Sequence, residues 1–290
     1  MICFIKISSV NIGKANEEFY SCGEVFLKKQ LFPDGRMETQ MQILDFGGGE
    51  RLRFCREYLS GMTGEVKTLI LLPIPSTKDN IHVKGTETAL SEAVSSAGRG
   101  DAVCGYGLPE TVKGELAEKG VRLFDGLDCE DFLVENAVLT VDGALGELLS
   151  SMPFSLRDLS VGIIGYGRIG KRLLRSLLFL GAKVRVYTRS ELVRLSLGEE
   201  GLESEAFSFD GDYAGLDVLV NTAPAKVMSG EGIKKYESAG LKILDLASGE
   251  CFPQSPSVKK LASIPEAFYP KSAGRLYGKY ISEYLRLEKK

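Results

Sequence analysis

From residue 41 onward, the hydrophobic residues gather in short runs separated by amphipathic stretches. MQILDF (41–46) and TLILLP (68–73) have the length and composition of buried strands. Helical spacing follows in RLRFCREYLSG, which Gly61 closes, and in PETVKGELAEKG, which Pro109 opens. Strands that alternate with helices at this pitch predict a parallel sheet with helices on both faces.

The same alternation returns in the second half of the chain, so we predict an α/β protein with two doubly wound parallel-sheet domains. Before residue 41, the Pro-Asp-Gly turn signal in EVFLKKQLFPDGRME indicates a hairpin or a loose extension. The predicted domains are an N-terminal extension (1–40), a first domain (41–135, completed by a C-terminal helix at 272–288), a connecting helix (136–158) and a second domain (159–271).

Composition narrows the class of protein. The 290 residues suffice for two buried cores, and the net charge of −3 argues against nucleic-acid binding. No apolar run approaches the roughly 18 residues of a membrane span, and the start resembles no signal peptide, so we expect a cytoplasmic protein. Six scattered cysteines without a C-x-x-C pair indicate reduced thiols, and a single histidine excludes a multi-histidine metal centre. We therefore expect no metal.

Three spaced glycines, Gly165, Gly167 and Gly170, lie directly between a predicted strand and a predicted helix. In a dinucleotide-binding turn, the first glycine permits the tight turn, the second admits a pyrophosphate and the third lets the helix approach the strand. The helix N-terminus then offers free N–H groups to the phosphates. The alternative is a closely packed turn without a ligand. We predict cofactor contacts from Gly165, Tyr166, Gly167, Arg168, Ile169 and Gly170.

The end of the second strand of this unit reads Thr188-Arg189-Ser190, where an NAD-preferring fold usually has an acidic residue. A guanidinium would attract the extra phosphate of NADP, and the two hydroxyl groups can donate to it. The sequence therefore predicts NADP rather than NAD, unless Arg189 is merely a solvated residue at a strand end. The segment NTAP ends a further strand at the same sheet edge, and we add Thr222, Ala223 and Pro224 to the cofactor site.

An ordered series of motifs resembles the A-subunit family of dipicolinate synthase. The motifs are MQILDFGGGER, LILLPIPSTKDNIHV, AVCGYGLPE, ENAVLTVDGALGELL, the glycine turn, LVNTAP, KILDLAS and IPEAFYPKSAGRLYGKYI, which together cover about residues 41 to 288. The resemblance implies a flavodoxin-like first domain, a Rossmann second domain and NADP-linked oxidation of a cyclic dicarboxylate to dipicolinate during sporulation. It also implies that the partner is a flavoprotein-like B-subunit, in the mother-cell cytoplasm of a spore former. We further expect a homo-oligomer.

The sequence departs from this family at two places. Its DLAS motif is commonly followed by an arginine and glycines, whereas Gly249, Glu250 and Cys251 follow Ser248 here. A Pro-Gly pair after the last strand is replaced by Pro265-Glu266. If the family's arginine binds a substrate carboxylate, this chain binds it another way or accepts a different substrate.

Candidate chemistry lies in two segments. In PKSAG and the next residue we expect catalytic Lys271 and substrate-binding Ser272 and Arg275, with Ser272 capping the last helix; the alternative is an ordinary capped helix. In PIPSTKDNIH we expect Ser76 and Thr77 to bind substrate and His82 to transfer protons, unless it is a solvated loop residue. Three further expectations are that Ser248 binds substrate, that residues 47–50 form a turn able to contact a substrate carboxylate, and that residues 136–140 line the cleft or act as a hinge.

Two other functions remain open. A D-2-hydroxyacid dehydrogenase of the same architecture would need a late histidine and an arginine after the fifth strand of the second domain, but no histidine follows His82. A nucleotide-binding subunit without catalysis is the second alternative, because of the departures around residue 249.

Overall fold

The chain divides into two compact units, residues 1–40 and 41–290. The computed structural model describes residues 29–31, 37–39 and 41–289. Within the first unit, strands β1 (Lys29–Leu31) and β2 (Met37–Thr39) pair antiparallel, with Lys29 opposite Thr39. This pairing is the hairpin alternative of the sequence prediction, and the remainder of the predicted extension, including the Pro-Asp-Gly turn, lies outside the described residues.

The second unit begins with strands and helices in alternation, as the hydrophobic pattern predicts. Helix α1 ends at Leu59 just before Gly61, whose φ of +79° suits glycine, and α3 begins directly after Pro109. The elements are β3 (Gln42–Asp45), α1 (Glu50–Leu59), β4 (Met62–Thr63), β5 (Thr68–Leu71), α2 (Leu90–Ser95), β6 (Ala102–Gly105), α3 (Glu110–Glu118) and β7 (Arg122–Asp125).

A long helix then leads into a second alternating series. The elements are α4 (Glu130–Ser151), β8 (Ser160–Ile164), α5 (Arg168–Phe179), β9 (Lys183–Thr188), α6 (Glu191–Glu199), β10 (Glu203–Ala206), β11 (Val218–Asn221), α7 (Gly230–Ser238), β12 (Lys242–Asp245), β13 (Val258–Lys260), α8 (Ile264–Phe268), α9 (Pro270–Leu285) and β14 (Glu288–Lys289). None of the described helices is long and apolar enough to cross a lipid bilayer.

The first sheet is parallel, with strand order β3-β5-β6-β7. Its central strands are buried on both faces, which explains their nearly continuous apolar sequence. Leu69 and Leu71 face a core shared with α1 and α9, whereas Ile70 and Leu72 face α2 and α3. Helices therefore cover both faces, as predicted. The short β4 pairs with β14 near the end of the chain.

The second sheet has the parallel order β10-β9-β8-β11-β12-β13, which is that of a dinucleotide-binding fold. Counted along the chain from β8, this order is 3-2-1-4-5-6, so the crossover reverses direction next to β8. Ligands of such sheets bind outside the carboxyl ends of the strands at that reversal. The predicted fold class, α/β with two doubly wound parallel sheets, is confirmed.

Two helices have bounds that differ from the sequence prediction. The connecting helix spans Glu130–Ser151 rather than 136–158, and Glu130 and Asp131 place negative charge in its first turn and thereby stabilise it. The last helix begins at Pro270 because proline suits the first helical position, and it ends at Leu285, before Arg286 at a φ of +54°.

Helices α1 and α9 run parallel and in close contact, so that their N-termini lie at the same end. A Cβ atom at Gly274 would lie 2.5 Å from the carbonyl oxygen of Arg51, and one at Gly278 would lie 2.6 Å from the ring of Tyr58. The two glycines, one turn apart, thus let α9 approach the backbone of α1. This contact sets the position of α1 relative to the first sheet.

Candidate functional site

The glycine turn after β8 has the geometry that a dinucleotide requires. Gly165 has a φ of +94°, and a Cβ there would lie 2.8 Å from Oγ1 of Thr222. A Cβ at Gly170 would collide with the backbone of Gly165. A Cβ at Gly167, in contrast, would meet no atom within 4 Å. Two of the glycines are therefore required by packing, and the middle one keeps the turn accessible to a ligand.

Helix α5 starts at this turn with its N-terminus open. No side chain caps it, and its first turn contains no acidic residue, so its first N–H groups can bind an anion. The side chains of Tyr166 and Ile169 pack partly against the core of the second sheet, which anchors the turn. The backbone rather than these side chains is therefore the part that fits a pyrophosphate.

Arg168 forms an ion pair with Glu130 in the first turn of the connecting helix. Its Nε lies 2.8 Å from Oε1 of Glu130, and Nη2 contacts Oε2. The pair raises the pKa of Arg168 and lowers the pKa of Glu130. Because both side chains are about half exposed, the guanidinium remains within reach of solvent anions.

A buried hydrogen-bond network holds the sheet edge opposite the glycine turn. Thr222 donates from Oγ1 to the carbonyl oxygen of Ile164 at 2.8 Å, and the N–H of Ala223 donates to Oδ1 of Asn221 at 3.1 Å. Nδ2 of Asn221 in turn donates to Oδ1 of Asp245 at 2.8 Å. The neighbouring Pro224 is exposed. The sequence prediction named Thr222 and its neighbours, but it missed the buried pair that orients them.

Lys260 holds the loop at residues 247–249, where the sequence first departs from the family pattern. Its Nζ lies 2.7 Å from Oδ2 of buried Asp245 and donates to the carbonyl oxygen of Gly249 at 2.9 Å and to that of Ala247. The Ser248 side chain is exposed, and its carbonyl oxygen accepts a weak bond from Sγ of Cys251 at 3.7 Å. This lysine therefore orders the loop in which the family commonly has an arginine.

The corner at the end of β9 has two arginines, one in the loop after the strand and one on α6. Thr188 is buried, and Ser190 caps α6 by accepting from the N–H of Val193 at 3.4 Å. Arg189 is exposed and pairs with no carboxylate among the described residues. Arg194, which the sequence prediction missed, donates from Nη1 to the carbonyl oxygen of Thr188 at 2.9 Å. The sequence signal that could have identified Arg194 is its position four residues after Ser190, the helix cap.

The loop after β5 uses its predicted hydroxyl groups internally. Ser76 is fully enclosed, donates to the carbonyl oxygen of Pro73 at 3.1 Å and accepts from the N–H of Tyr106 at 2.7 Å. Thr77 is buried and donates to Oδ1 of Asp79 at 3.1 Å. In this conformation Ser76 has no free face for a ligand, so its observed role is to hold the loop.

His82 forms an ion pair with Asp79 in the same loop, with 2.8 Å between Nδ1 and Oδ2. This hydrogen bond raises the pKa of His82 and lowers the pKa of Asp79. The ring is 43% exposed, and no hydrogen bond or ion pair within the described chain connects it to Lys271. The observed partner of His82 is therefore Asp79.

The predicted residues of the last helix are exposed near its start. Lys271, Ser272 and Arg275 form no hydrogen bond or ion pair with any described residue, and all three are exposed. The expected cap is wrong: the helix begins at Pro270 with Tyr269 at the cap position, so Ser272 lies inside the first turn. Because α9 runs parallel to α1, these residues lie at the same end as residues 47–50.

Residues 47–50 adjoin a buried cation that the sequence prediction missed. Gly47, Gly48 and Gly49 have φ values of +92°, +60° and +97°, and α1 begins directly after them without a side-chain cap. Arg51, in the first turn of α1, is only 4% exposed. In the described part of the chain, no cluster of three or more histidine, cysteine or acidic side chains is arranged to hold a metal ion.

The comparisons with known proteins agree with this geometry. Residues 143–241 match the model of the D-isomer specific 2-hydroxyacid dehydrogenase NAD binding domain, and these residues include the glycine turn. The dipicolinate synthase A-subunit of Bacillus subtilis (strain 168) is 26% identical over 184 residues, so the match spans 61% of this chain and 61% of that protein, less than two thirds of its length. The chain resembles the dipicolinate synthase A-subunit.

Solved structures with this name have the same fold. The crystal structure of the dipicolinate synthase A-subunit from Bacillus halodurans superposes with a TM-score of 0.68 at 21% identity, covering 85% of this chain and 98% of that one. The counterpart from Bacillus subtilis gives a TM-score of 0.66 at 19% identity, covering 86% and 96%. Strands β8 to β11 of the second sheet lie within the residues that match the NAD binding domain model, so a nicotinamide cofactor is the expected ligand class.

Proposed function

We propose that this protein is an NADP-dependent oxidoreductase of the type of the dipicolinate synthase A-subunit. The observation that carries the proposal is the glycine turn at 165–170, where two glycines are required by packing and Gly167 leaves the uncapped start of α5 accessible. These residues fit a dinucleotide: N–H groups would bind its pyrophosphate, and the edge at Thr222 would border its nicotinamide end.

The preference for NADP rests on the corner at the end of β9. Arg189 is exposed without a carboxylate partner among the described residues, and Arg194 on α6 donates to the carbonyl oxygen of Thr188, the residue before Arg189. Two guanidinium groups favour a 2′-phosphate, which an acidic residue at this place would repel. The sequence prediction of NADP therefore stands as part of this proposal.

The test is a titration of the purified protein with NADP and with NAD, followed by calorimetry. Replacing Arg189 with Asp should weaken NADP binding ten- to a hundredfold, since a charge-assisted hydrogen bond contributes about 1.5–3 kcal/mol and 1.4 kcal/mol is a factor of ten. NAD binding should change less than threefold. Arg175, exposed on α5 away from the turn, supplies the control Arg175→Asp with the same change in charge. Equal effects of Arg189→Asp on both nucleotides would refute the NADP assignment.

For the reaction, we propose oxidation of a dihydro- or tetrahydro-dipicolinate-type ring to pyridine-2,6-dicarboxylate, as part of dipicolinic acid formation in sporulation. For the dihydro ring, loss of one hydride and one proton yields the aromatic product, and NADP supplies the hydride acceptor when bound. The chain itself would position the ring and accept the proton. The name of the relative, which is one subunit of a synthase, supports a partner subunit. We further propose that this partner is a flavoprotein-like B-subunit and that the chain self-associates.

The assay for turnover is the appearance of the ultraviolet absorbance of dipicolinate when NADP and the cyclic lysine-pathway precursor are supplied. Nucleotide binding without turnover, with and without the partner, would instead support the non-catalytic alternative. The D-2-hydroxyacid dehydrogenase alternative would require oxidation of simple 2-hydroxy acids, and the chain has no histidine after His82 for such a reaction.

A further inference from the structure

Arg51 is a buried cation without an anion beside it. Its guanidinium donates from Nη2 to Oδ1 of Asn136 on the connecting helix at 3.2 Å, and its Nε has no hydrogen-bond acceptor. No described carboxylate lies within ion-pair distance of it. Burial lowers its pKa, an effect that the charge of Glu266 partly offsets. An enclosed guanidinium with an unsatisfied donor is costly, so this position favours the approach of an anion.

The backbone around Arg51 is also suited to an anion. Helix α1 starts right after the three glycines with positive φ, and no side chain caps it. A Cβ at Gly48 would meet no atom within 4 Å, so this turn is open to its surroundings. The start of α9 lies at the same end, as the contact between Gly274 and Arg51 requires. Two helix N-termini thus add partial positive charge at one place.

Glu266, one of the two sequence departures, places a carboxylate against this turn. Its Oε1 lies 2.6 Å from where a Cβ of Gly49 would be, and its Oε2 lies 3.8 Å from Nζ of Lys84. The Lys84 side chain is only 20% exposed, and its Nζ donates to the carbonyl oxygen of Ile74 at 2.8 Å. Glu266 therefore lies between Lys84 and the turn that precedes α1.

We propose that Arg51, Lys84 and the turn 47–49 form the site for one carboxylate of the substrate, and that Glu266 is an internal carboxylate which the substrate displaces. This inference rests on the proposed function for the class of substrate, a cyclic dicarboxylate, but does not depend on the cofactor. Arg51 donates to Asn136 and Arg168 donates to Glu130, so both arginines contact the N-terminal half of α4. The ring held here would thus lie near the end of α4 that adjoins the glycine turn.

The experiment is calorimetric titration with pyridine-2,6-dicarboxylate, and separately with NADP, of the full chain and four variants. Glu266→Gln removes the competing charge at constant shape, so the dicarboxylate should bind at least fivefold more tightly. Lys84→Met removes a positive charge and should weaken dicarboxylate binding at least fivefold. Arg51→Lys keeps the charge but loses the two-pronged guanidinium, and should weaken binding to the same extent. Arg53→Gln is the matched control, since Arg53 lies in the same helix but is exposed and pairs with Glu50 and Glu57. NADP affinity should remain unchanged in all four.

Two results would overturn the site: dicarboxylate binding that Glu266→Gln leaves unchanged or weakens, and a Lys84→Met variant that binds like Arg53→Gln. Lys84 and Glu266 are partly exposed, so these variants remain informative even if Arg51→Lys does not fold. Absence of dicarboxylate binding in a wild-type protein that binds NADP would also reject the site while leaving the cofactor assignment intact. If the protein binds the dicarboxylate with the expected variant effects but binds no nucleotide, the proposed oxidoreductase function is rejected and the dicarboxylate site is retained.

Discussion

The close packing of α9 on α1, which together cover one face of the first sheet, can be tested by a single substitution. Replacing Gly274 with Ala adds one Cβ, which would lie 2.5 Å from the Arg51 carbonyl oxygen, 2.6 Å from Cβ of Phe54 and 2.8 Å from the Cys55 nitrogen. These neighbours belong to the backbone and Cβ of α1, so no rotation of a side chain can relieve the overlap. The two helices must move apart.

The expected change in the free energy of unfolding combines two opposing contributions. Alanine is favoured over glycine inside a helix by about 1 kcal/mol. Overpacking a well-packed interface costs about 1–3 kcal/mol. Gly274→Ala should therefore range from neutral to about 2 kcal/mol less stable than the wild type. Gly114→Ala on α3 has the same gain in propensity without the overlap, because a Cβ there would meet nothing within 4 Å.

The assay is urea unfolding of the wild type and both variants, followed by circular dichroism. Gly114→Ala should be about 1 kcal/mol more stable than the wild type, and the two variants should differ by about 1–3 kcal/mol. Since about 1 kcal/mol shifts the melting temperature by roughly 2–4 °C in a chain of this size, thermal melting gives a second measurement. If Gly274→Ala gains as much stability as Gly114→Ala, the close packing of α9 on α1 is refuted.

Two further predictions concern the candidate site. Gly167→Ala should leave unfolding by urea unchanged but weaken binding of NADP and NAD at least tenfold, since its Cβ meets only the space that the pyrophosphate would use; unchanged nucleotide affinity would contradict this placement. His82 is the chain's single histidine, so its ring can be titrated by NMR without ambiguity. Asp79 raises the pKa of His82, so the midpoint should lie above that of a free histidine, about 6.5, and Asp79→Asn should lower it. The pair's contribution to stability should be present at mildly acidic pH and lost as pH rises through the raised midpoint. A midpoint that Asp79→Asn does not change would contradict the ion pair.

Features that depend on neighbouring residues could be predicted from the sequence. The glycine turn at 165–170 was one of them, because the positive φ of Gly165 and the close approach of Gly170 to the Gly165 carbonyl arise within the same strand, turn and helix. The two parallel sheets followed from the alternation of buried runs and amphipathic segments. Ser190 illustrates the limit of such local patterns. The sequence placed it beside the predicted phosphate-binding arginine, but did not predict α6, the helix that Ser190 caps.

Features that depend on distant residues could not be predicted. In ERLRFCREYL, Arg51 is indistinguishable from the exposed Arg53, and only the packing of α9 and α4 buries it. Ser76 belongs to a polar loop, but Tyr106, thirty residues later, encloses its hydroxyl group. Ser272 had the composition of a helix cap, yet Pro270 starts the helix two residues earlier. Sequence patterns thus located the candidate site without assigning the individual side chains.

The position of α9 in the chain has a consequence for synthesis on the ribosome. Tyr277, Ile281 and Leu285 contribute to the core beneath the first sheet, although the strands of that sheet are complete by residue 125. Part of the apolar surface of the first domain therefore stays uncovered until more than a hundred further residues have been synthesised, whereas the nucleotide-binding domain can already fold. During that interval the first domain has the greater need for a chaperone.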